Sequence, residues 1–136
     1  MMPISNQIFH KRPDIEKGIY YAQACKAGNM LYVSGCVSWD SEGNIIGEND
    51  MAAQLTQVYT DIKETLEANG ISLRNVVKET VFTTDMEALV ASNDIRTRFY
   101  VEAESAPPTA TWIECSRLVA PEMMIEIECI AQINLE

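Results

Sequence analysis

The sequence predicts an α+β fold in which one mixed β-sheet carries two helices packed on one face. The element order supports this class, because strand-like segments come first and are followed by a helix, a strand, a second helix and two more strands. The length of 136 residues suits one compact domain over residues 1–136. A content of 47% hydrophobic and 22% charged residues is typical of globular proteins.

The first two strands are predicted to form a hairpin. Residues 20–25 alternate moderately between apolar and polar side chains, and residues 30–37 are mostly apolar. Gly28 and Asn29 between them tolerate positive φ angles, which favours a tight turn. Gly35 lies inside the second strand and indicates a bulge or a close backbone approach.

A long amphipathic helix is predicted between residues 51 and 66, where apolar side chains recur at three- and four-residue spacing. Asn49 or Asp50 is suited to cap its first turn, because a short polar side chain can accept a hydrogen bond from a free backbone N–H. Asn69 and Gly70 suit the left-handed conformation that ends many helices.

The second half of the chain predicts a strand, a helix and two strands. The β-branched run over residues 75–84 predicts the strand, and the apolar spacing from residue 86 to about residue 101 fits a second helix. Pro107 and Pro108 end that region, and the last strands are predicted over residues 109–115 and 123–133. The helices would cover one face of the sheet, so we expect the other face to be buried against another subunit.

The charge balance disfavours several classes of function. Ten Lys and Arg residues against twenty Asp and Glu residues give a formal net charge of −10, so no nucleic-acid partner is expected. Anionic membranes are disfavoured for the same reason, and no apolar run is long enough to span a bilayer. The first residues lack the pattern of a signal peptide, which predicts a cytoplasmic protein.

Cysteine and histidine offer little material for a metal site or a redox centre, so no metal and no cofactor are expected. The four cysteines, without any CxxC pair, are Cys25, Cys36, Cys115 and Cys129. We expect them to be small buried residues or thiols without a redox task. The one histidine, His10, is expected in solvent, and no Ser-His or Cys-His pair is available.

Two carboxylates are candidates for acid–base chemistry. Glu126 and Glu128 are two residues apart in the last predicted strand, so their side chains share one face, with Cβ atoms ~7 Å apart. One interpretation is a solvated or oligomer-facing strand. The other is that one glutamate acts as a general acid or base that positions water, while the second is charge-paired, with Arg117 as the candidate partner.

The order of short motifs along the chain resembles the RidA/YjgF family of reactive-intermediate deaminases. The resemblance runs from about residue 18 to residue 133 and depends on the spacing of many segments. These are Tyr21-x-Gln23, Gly28-Asn29-Met30, Val33-Ser34-Gly35, Ala53-Gln54, Asn69-Gly70, Val77-Lys78-x-Thr80-Val81-Phe82, Asp85-Met86, Asn93, Pro108, Arg117-Leu118 and Ile125-Glu126-Ile127-Glu128-x-Ile130-Ala131.

The resemblance implies a chorismate-mutase-like fold and a homotrimer, in which six-stranded sheets with two helices on one face meet as a central barrel. It also implies clefts between subunits, where small 2-enamino or 2-imino acids are hydrolysed to 2-oxo acids and ammonia. Glu126 matches the family's acid–base position, and the Gly35 N–H is expected to donate to the developing oxyanion. Tyr21 and Asn93 are expected to line the cleft.

One departure from the family pattern concerns substrate binding. Deaminating members carry an arginine shortly after the proline that ends the second helix, and this arginine holds the substrate carboxylate. Counting back from Arg117 places that position at Ala110, and counting forward from Asn93 agrees. An ungapped count back from Glu126 gives Thr111 instead, so neither register supplies a cation.

The pocket is therefore expected to be retained but changed. Trp112 stands where many members have a small residue, and it would narrow the pocket and offer a ring for stacking. Little acceleration of 2-aminoacrylate or 2-iminobutanoate hydrolysis is expected, unless Arg96, Arg98 or Arg117 supplies a guanidinium from elsewhere in the trimer. The expected site consists of catalytic Glu126 and of substrate-binding Tyr21, Gly35, Asn93, Ala110, Trp112 and Arg117.

Three functions remain open. The first is hydrolytic deamination of an enamine or imine metabolite other than the common amino-acid intermediates. The second is a trimer that binds a small metabolite in its cleft, as a binding or regulatory protein, without turnover. The third is the nuclease activity for which parts of the family are named, which the acidic charge and the lack of metal-ligand or histidine-dyad chemistry disfavour.

Overall fold

The computed structural model describes residues 7–135, and within them the chain forms one mixed sheet of six strands. The strands are β1 (Ile8–Phe9), β2 (Ala24–Ala27), β3 (Met30–Val37), β4 (Val76–Thr83), β5 (Thr109–Glu114) and β6 (Ile125–Gln132). Their order across the sheet is β1-β2-β3-β6-β4-β5, and every pair is antiparallel except the parallel pair of β4 and β5. The predicted α+β class is confirmed.

Four α-helices accompany the sheet in the described part of the chain, where two were predicted. They are α1 (Pro13–Ile19), α2 (Met51–Ala68), α3 (Met86–Ala91) and α4 (Asn93–Glu102), and a 3₁₀ turn covers Leu73–Asn75. The second helix predicted from residue 86 to about residue 101 is divided in two at Ser92. Ser92 has φ −106° and ψ 9°, outside the α-helical range, so α3 ends and α4 begins there. None of these helices combines the length and the apolar character that crossing a membrane requires.

The N-terminal segment differs from the prediction. The first strand of the hairpin begins at Ala24 and not at residue 20, because Tyr20 is the exposed, left-handed residue that ends α1, with a φ of 76°. The hairpin itself is confirmed, since β2 and β3 pair across Gly28, whose φ is 59°. The sequence predicts neither β1 nor α1, because segments of 2 and 7 residues are too short to show a hydrophobic period.

The hydrophobic core lies between the sheet and α2. Asp50 caps this helix, as predicted, by accepting a hydrogen bond from the backbone N–H of Ala53 at 3.1 Å. Fully burying a side chain of leucine size contributes ~1.5–3 kcal/mol, so this layer holds the central strands firmly in place. The buried face of α2 contributes Leu55, Val58, Tyr59, Ile62 and Leu66.

The opposite face of the sheet is less covered. Buried isoleucines of β6 alternate with Glu126 and Glu128, which both lie on the open face, so the shared face predicted for the two glutamates is confirmed. Two exposed apolar residues, Tyr32 and Ile113, lie on this same face. Tyr32 pairs with Ile130 of β6, and Ile113 pairs with Phe82 of β4, which itself pairs with Glu126.

Candidate functional site

A cleft of about 350 Å³ opens on the uncovered face, next to the middle of β3 and the start of β6. It brings together three of the predicted site residues, Tyr21, Gly35 and Glu126. The chain between β5 and β6 and the end of α1 form its other walls. The lining residues are Ile19, Tyr21, Ser34, Gly35, Val37, Trp39, Val119, Met123 and Glu126.

A β-bulge places Gly35 against Glu126. On β3, Val33 pairs with Cys129 and Cys36 pairs with Ile127, so two residues of β3 stand opposite the single residue Glu128. A Cβ atom at Gly35 would lie 2.2 Å from Glu126 Oε2, so only glycine leaves room for the carboxylate at this place. The bulge or close approach predicted from Gly35 is confirmed, and both features occur together.

The Glu126 carboxylate is available for chemistry. Burial raises its pKa, and the negative charge of Glu128 raises it further. No group in residues 7–135 donates a hydrogen bond to the carboxylate, so a ligand or water can use both oxygens. A partly buried carboxylate with a raised pKa and free oxygens can accept a proton and return it.

Glu128 and Arg117 do not form the predicted ion pair. Arg117 donates hydrogen bonds to the backbone carbonyls of Leu118 and Val119, at 3.2 and 3.3 Å, and lies exposed in the loop before β6. Glu128 is exposed on the open face. The loop carbonyls hold the guanidinium locally, and of the two states expected for Glu128, solvated or charge-paired, the protomer has the solvated one.

Tyr21 lines the cleft. Burial raises the pKa of its phenol to about 12, with a further contribution from the negative charge of Glu16. The hydroxyl is therefore protonated at neutral pH and can donate a hydrogen bond. Tyr21 comes directly after Tyr20, the residue that ends α1. Its backbone N–H donates a hydrogen bond to the carbonyl of Glu16 at 2.9 Å.

The remaining predicted residues lie elsewhere in the protomer. Ala110 and Trp112 of β5 align with Glu79 and Val81 of β4, whose side chains are buried beneath the helices. They therefore face α4 and not the open face. Asn93 begins α4, and its Oδ1 is buried without a hydrogen-bond partner. One protomer does not join these residues to Glu126, but β5 is an edge strand that a second copy could reach.

A buried polar cluster around Glu79 is absent from the sequence-based prediction. The fully buried Glu79 carboxylate accepts hydrogen bonds from Tyr59 Oη at 2.9 Å, from Tyr100 Oη at 2.8 Å and from Arg96 Nε. Burial and the nearby carboxylate raise the pKa of both tyrosines, which keeps them as donors. The available signal was Glu79 itself, a charged residue two positions before Val81 on the inward face of a β-branched strand.

A second buried carboxylate holds the N-terminal segment. Glu16 accepts hydrogen bonds from the backbone N–H groups of Arg12 at 2.6 Å, Lys11 at 3.1 Å and Gln23 at 3.2 Å. His10 Nδ1 is also hydrogen-bonded to it, at 2.8 Å, and the histidine is half-buried. The expectation that His10 lies free in solvent is wrong, because the buried carboxylate draws it against α1.

The four cysteines are all free thiols. Cys36 and Cys129 are buried, and burial raises the pKa of both thiols, so they remain protonated at neutral pH. Cys25 and Cys115 are half-buried. Within residues 7–135, no group of three or more His, Cys, Asp or Glu side chains is arranged to hold a metal ion.

Comparison with known proteins supplies independent relatives of this chain. Residues 12–133 match the family described as endoribonuclease L-PSP. A RutC family protein from Pyrococcus horikoshii is 38% identical over 111 residues, which cover 82% of this chain and 85% of that protein. A 2-iminobutanoate/2-iminopropanoate deaminase from Salmonella typhimurium is 32% identical over 111 residues, with 82% of this chain and 85% of the enzyme covered.

The fold has solved counterparts as well. The crystal structure of the YjgF gene product of E. coli superposes with a TM-score of 0.78 at 28% sequence identity. The superposition covers 97% of this chain and 98% of that one, so the two chains share the fold.

Proposed function

This chain belongs to the RidA/YjgF family, whose family description is endoribonuclease L-PSP, and on that premise we propose that it hydrolyses a small enamine or imine metabolite and releases ammonia. The observation that carries the proposal is the pairing of the Glu126 carboxylate with the Gly35 backbone in the cleft. The Salmonella relative is named as a deaminase of 2-iminobutanoate and 2-iminopropanoate, which is the same class of reaction.

In the proposed reaction an enamine first takes a proton from solvent water on its β-carbon and becomes an iminium ion, leaving hydroxide in solvent. Glu126 orients a water molecule and accepts its proton as the water oxygen bonds to the imine carbon. Glu126 returns this proton to the nitrogen, the C–N bond of the tetrahedral intermediate breaks with loss of ammonia, and the hydroxyl of the intermediate gives its proton to solvent as the carbonyl group forms. The Gly35 N–H and the Tyr21 hydroxyl are suited to stabilise the charge that develops on oxygen.

We propose that the working unit is a homotrimer in the cytoplasm. The open face of the sheet carries exposed apolar side chains, including Tyr32 and Ile113, which burial against further copies would remove from water. The cleft in one protomer also lacks Asn93, Ala110 and Trp112, which the free edge at β5 could bring to a neighbour's cleft. Sedimentation that shows a monomer at micromolar concentration would remove both the trimer and the shared cleft.

A second candidate is a metabolite-binding trimer without turnover, and Ala110 favours it because no cation stands at the family's carboxylate-binding position. Ammonia release separates the two. A dehydratase acting on serine or threonine generates 2-aminoacrylate or 2-iminobutanoate, and ammonia is measured with and without this protein. Faster release supports the deaminase, and binding of the 2-oxo acid without faster release supports the binding protein. A nuclease is not proposed, because a net charge of −10 repels phosphates.

Replacing Gly35 by alanine is expected to lower the rate of ammonia release by ~10–100-fold while the protein stays folded. The added methyl group displaces the Glu126 carboxylate, and a displacement of about 1 Å is enough for a loss of this size. The free energy of unfolding should change by less than ~1 kcal/mol, because the atom that must move ends a flexible side chain. Gly18→Ala is the matched control, since its Cβ meets nothing within 4 Å. Equal rates in both variants would contradict the role of the close approach.

The pH profile of kcat/KM should show an acid limb set by Glu126, above the range of an ordinary glutamate, because burial and the Glu128 charge raise its pKa. In Glu128→Gln one of these two causes is removed. The pKa of Glu126 then falls, its carboxylate form persists to lower pH, and the acid limb moves to lower pH. A limb that stays in place, or that moves to higher pH, would show that Glu126 is not the titrating base.

A further inference from the structure

The Arg96 guanidinium uses only part of its hydrogen-bonding capacity inside the protein. Its Nε donates to Glu79, and within residues 7–135 its two Nη nitrogens have no hydrogen-bond partner. Both Nη nitrogens are accessible to solvent, although the side chain as a whole is only 15% exposed. Four N–H donors of a guanidinium are thus presented together at one place.

The position of this guanidinium is fixed from several sides. Glu79 is fully buried and is itself held by the hydroxyls of Tyr59 and Tyr100, so it cannot follow the arginine outward. The guanidinium carbon lies 5.3 Å from the ring centroid of Tyr100 and 5.7 Å from that of Trp112. Two aromatic contacts and an ion pair leave the planar fork little freedom to rotate, which lowers the entropy lost on binding a ligand.

The side chains next to Arg96 at the edge of the sheet include an aromatic ring and a methyl group. Trp112 belongs to β5, and Ala110, two residues earlier, aligns with Glu79 and offers only a methyl group. Asn93 precedes Arg96 by three residues in α4, so the two side chains share a face of the helix. The buried Oδ1 of Asn93 lacks a donor, which makes it a second unsatisfied polar atom in the same region.

The other two arginines considered from the sequence do not have this arrangement. Arg98 is 63% exposed and pairs with Asp94 along the outside of α4 at 3.6 Å. Arg117 donates to carbonyl groups of its own loop. Arg96 alone of the three combines burial, a fixed orientation and free donors.

We propose that Arg96 binds the carboxylate of a small planar acid of the 2-oxo or 2-imino class, through Nη1 and Nη2, with the acid's flat carbon skeleton beside Trp112. A fork of two parallel N–H donors matches the two oxygens of a carboxylate. That this carboxylate belongs to the molecule whose C–N bond is hydrolysed beside Glu126 of another copy rests on the proposed function, whereas the binding itself does not.

Binding of 2-oxobutanoate and of its neutral analogue 2-oxobutanamide, measured by calorimetry, tests the assignment without any turnover. The wild type should bind the acid at least about tenfold more tightly than the amide, because only the acid can accept a charged bidentate contact. Arg96→Lys keeps a cation beside Glu79 but lacks the planar fork, and it should lose most of this preference. Arg98→Lys, the matched change two residues away, should retain it.

The double variant Glu79→Gln/Arg96→Gln removes both charges of the ion pair and should abolish the preference; urea unfolding of each variant shows that it is folded. The assignment is overturned if the wild type does not prefer the acid, or if Arg96→Lys keeps the preference in full. If the protein does not release ammonia but prefers the acid over the amide, the deaminase proposal is rejected and the Arg96 assignment stands. If it releases ammonia but shows no preference for the acid, the Arg96 assignment is rejected and the deaminase proposal stands.

Discussion

Replacement of Glu126 by glutamine is expected to lower the rate of ammonia release by at least about a hundredfold. The amide cannot accept a proton from water, and general acid–base catalysis contributes ~10²–10⁴-fold in enzymes. The fold should be unaffected, because no hydrogen bond from residues 7–135 ends on this carboxylate and the amide has nearly the same shape. The measurement is the initial rate of ammonia release, at the pH optimum of the wild type, from the enamine or imine that the wild type hydrolyses fastest.

Glu128→Gln is the matched control for this experiment. The residue lies on the same strand and the same face, carries the same charge and is exposed outside the cleft. It should retain most of the rate at the optimum. Equal losses in the two variants would mean that the general negative potential of the face matters and that Glu126 has no specific task.

Replacement of Glu79 by alanine is expected to lower the free energy of unfolding by ~3–5 kcal/mol, the usual cost of removing one partner of a buried ion pair. The Arg96 charge loses its counter-ion, and the hydroxyls of Tyr59 and Tyr100 lose their acceptor. Because domains of this size are stable by only ~5–15 kcal/mol, the variant should show a much lower urea midpoint.

Lys78→Ala provides the comparison for Glu79, since it is the preceding residue of the same strand and is exposed. Its unfolding free energy should stay within ~0.5 kcal/mol of the wild type. A loss below ~1 kcal/mol in Glu79→Ala would show that the cluster contributes little to stability and that its hydrogen bonds are replaced by water.

The long elements of the fold could be predicted because their patterns repeat several times. The 18 residues of α2 and the 8 residues each of β3 and β6 show clear periods, and their bounds match the prediction closely. The interruption at Ser92 could not be predicted, since the apolar spacing continues across it and only tertiary packing turns the chain there. Helix α1 could not be predicted either, because it is stabilised by hydrogen bonds to Glu16 and not by an apolar face of its own.

The candidate site could be predicted only in part for a similar reason. Gly35 and Glu126 belong to neighbouring strands and carry recognisable signals, an internal glycine and alternating glutamates. The Glu79 cluster joins β4, α2 and α4, and the pairing of residues so far apart along the chain depends on how these elements pack. Nothing in the sequence distinguishes Arg96 from Arg98. Only the packing of α4 against β4 places the first beside Glu79 and leaves the second exposed.

The bulge in β3 also shifts the phase of the strand. Before it, the odd-numbered Leu31 and Val33 point into the core, whereas after it the even-numbered Cys36 does so and Val37 turns to the cleft. Deleting either bulge residue would bring the strand back to strict alternation. One end would then have to exchange inside for outside, which would send Cys36 toward the open face or Leu31 out of the core. One strand thus contributes side chains to both the core and the cleft because its inward and outward alternation shifts once. The shift occurs at Gly35, the residue that makes room for Glu126.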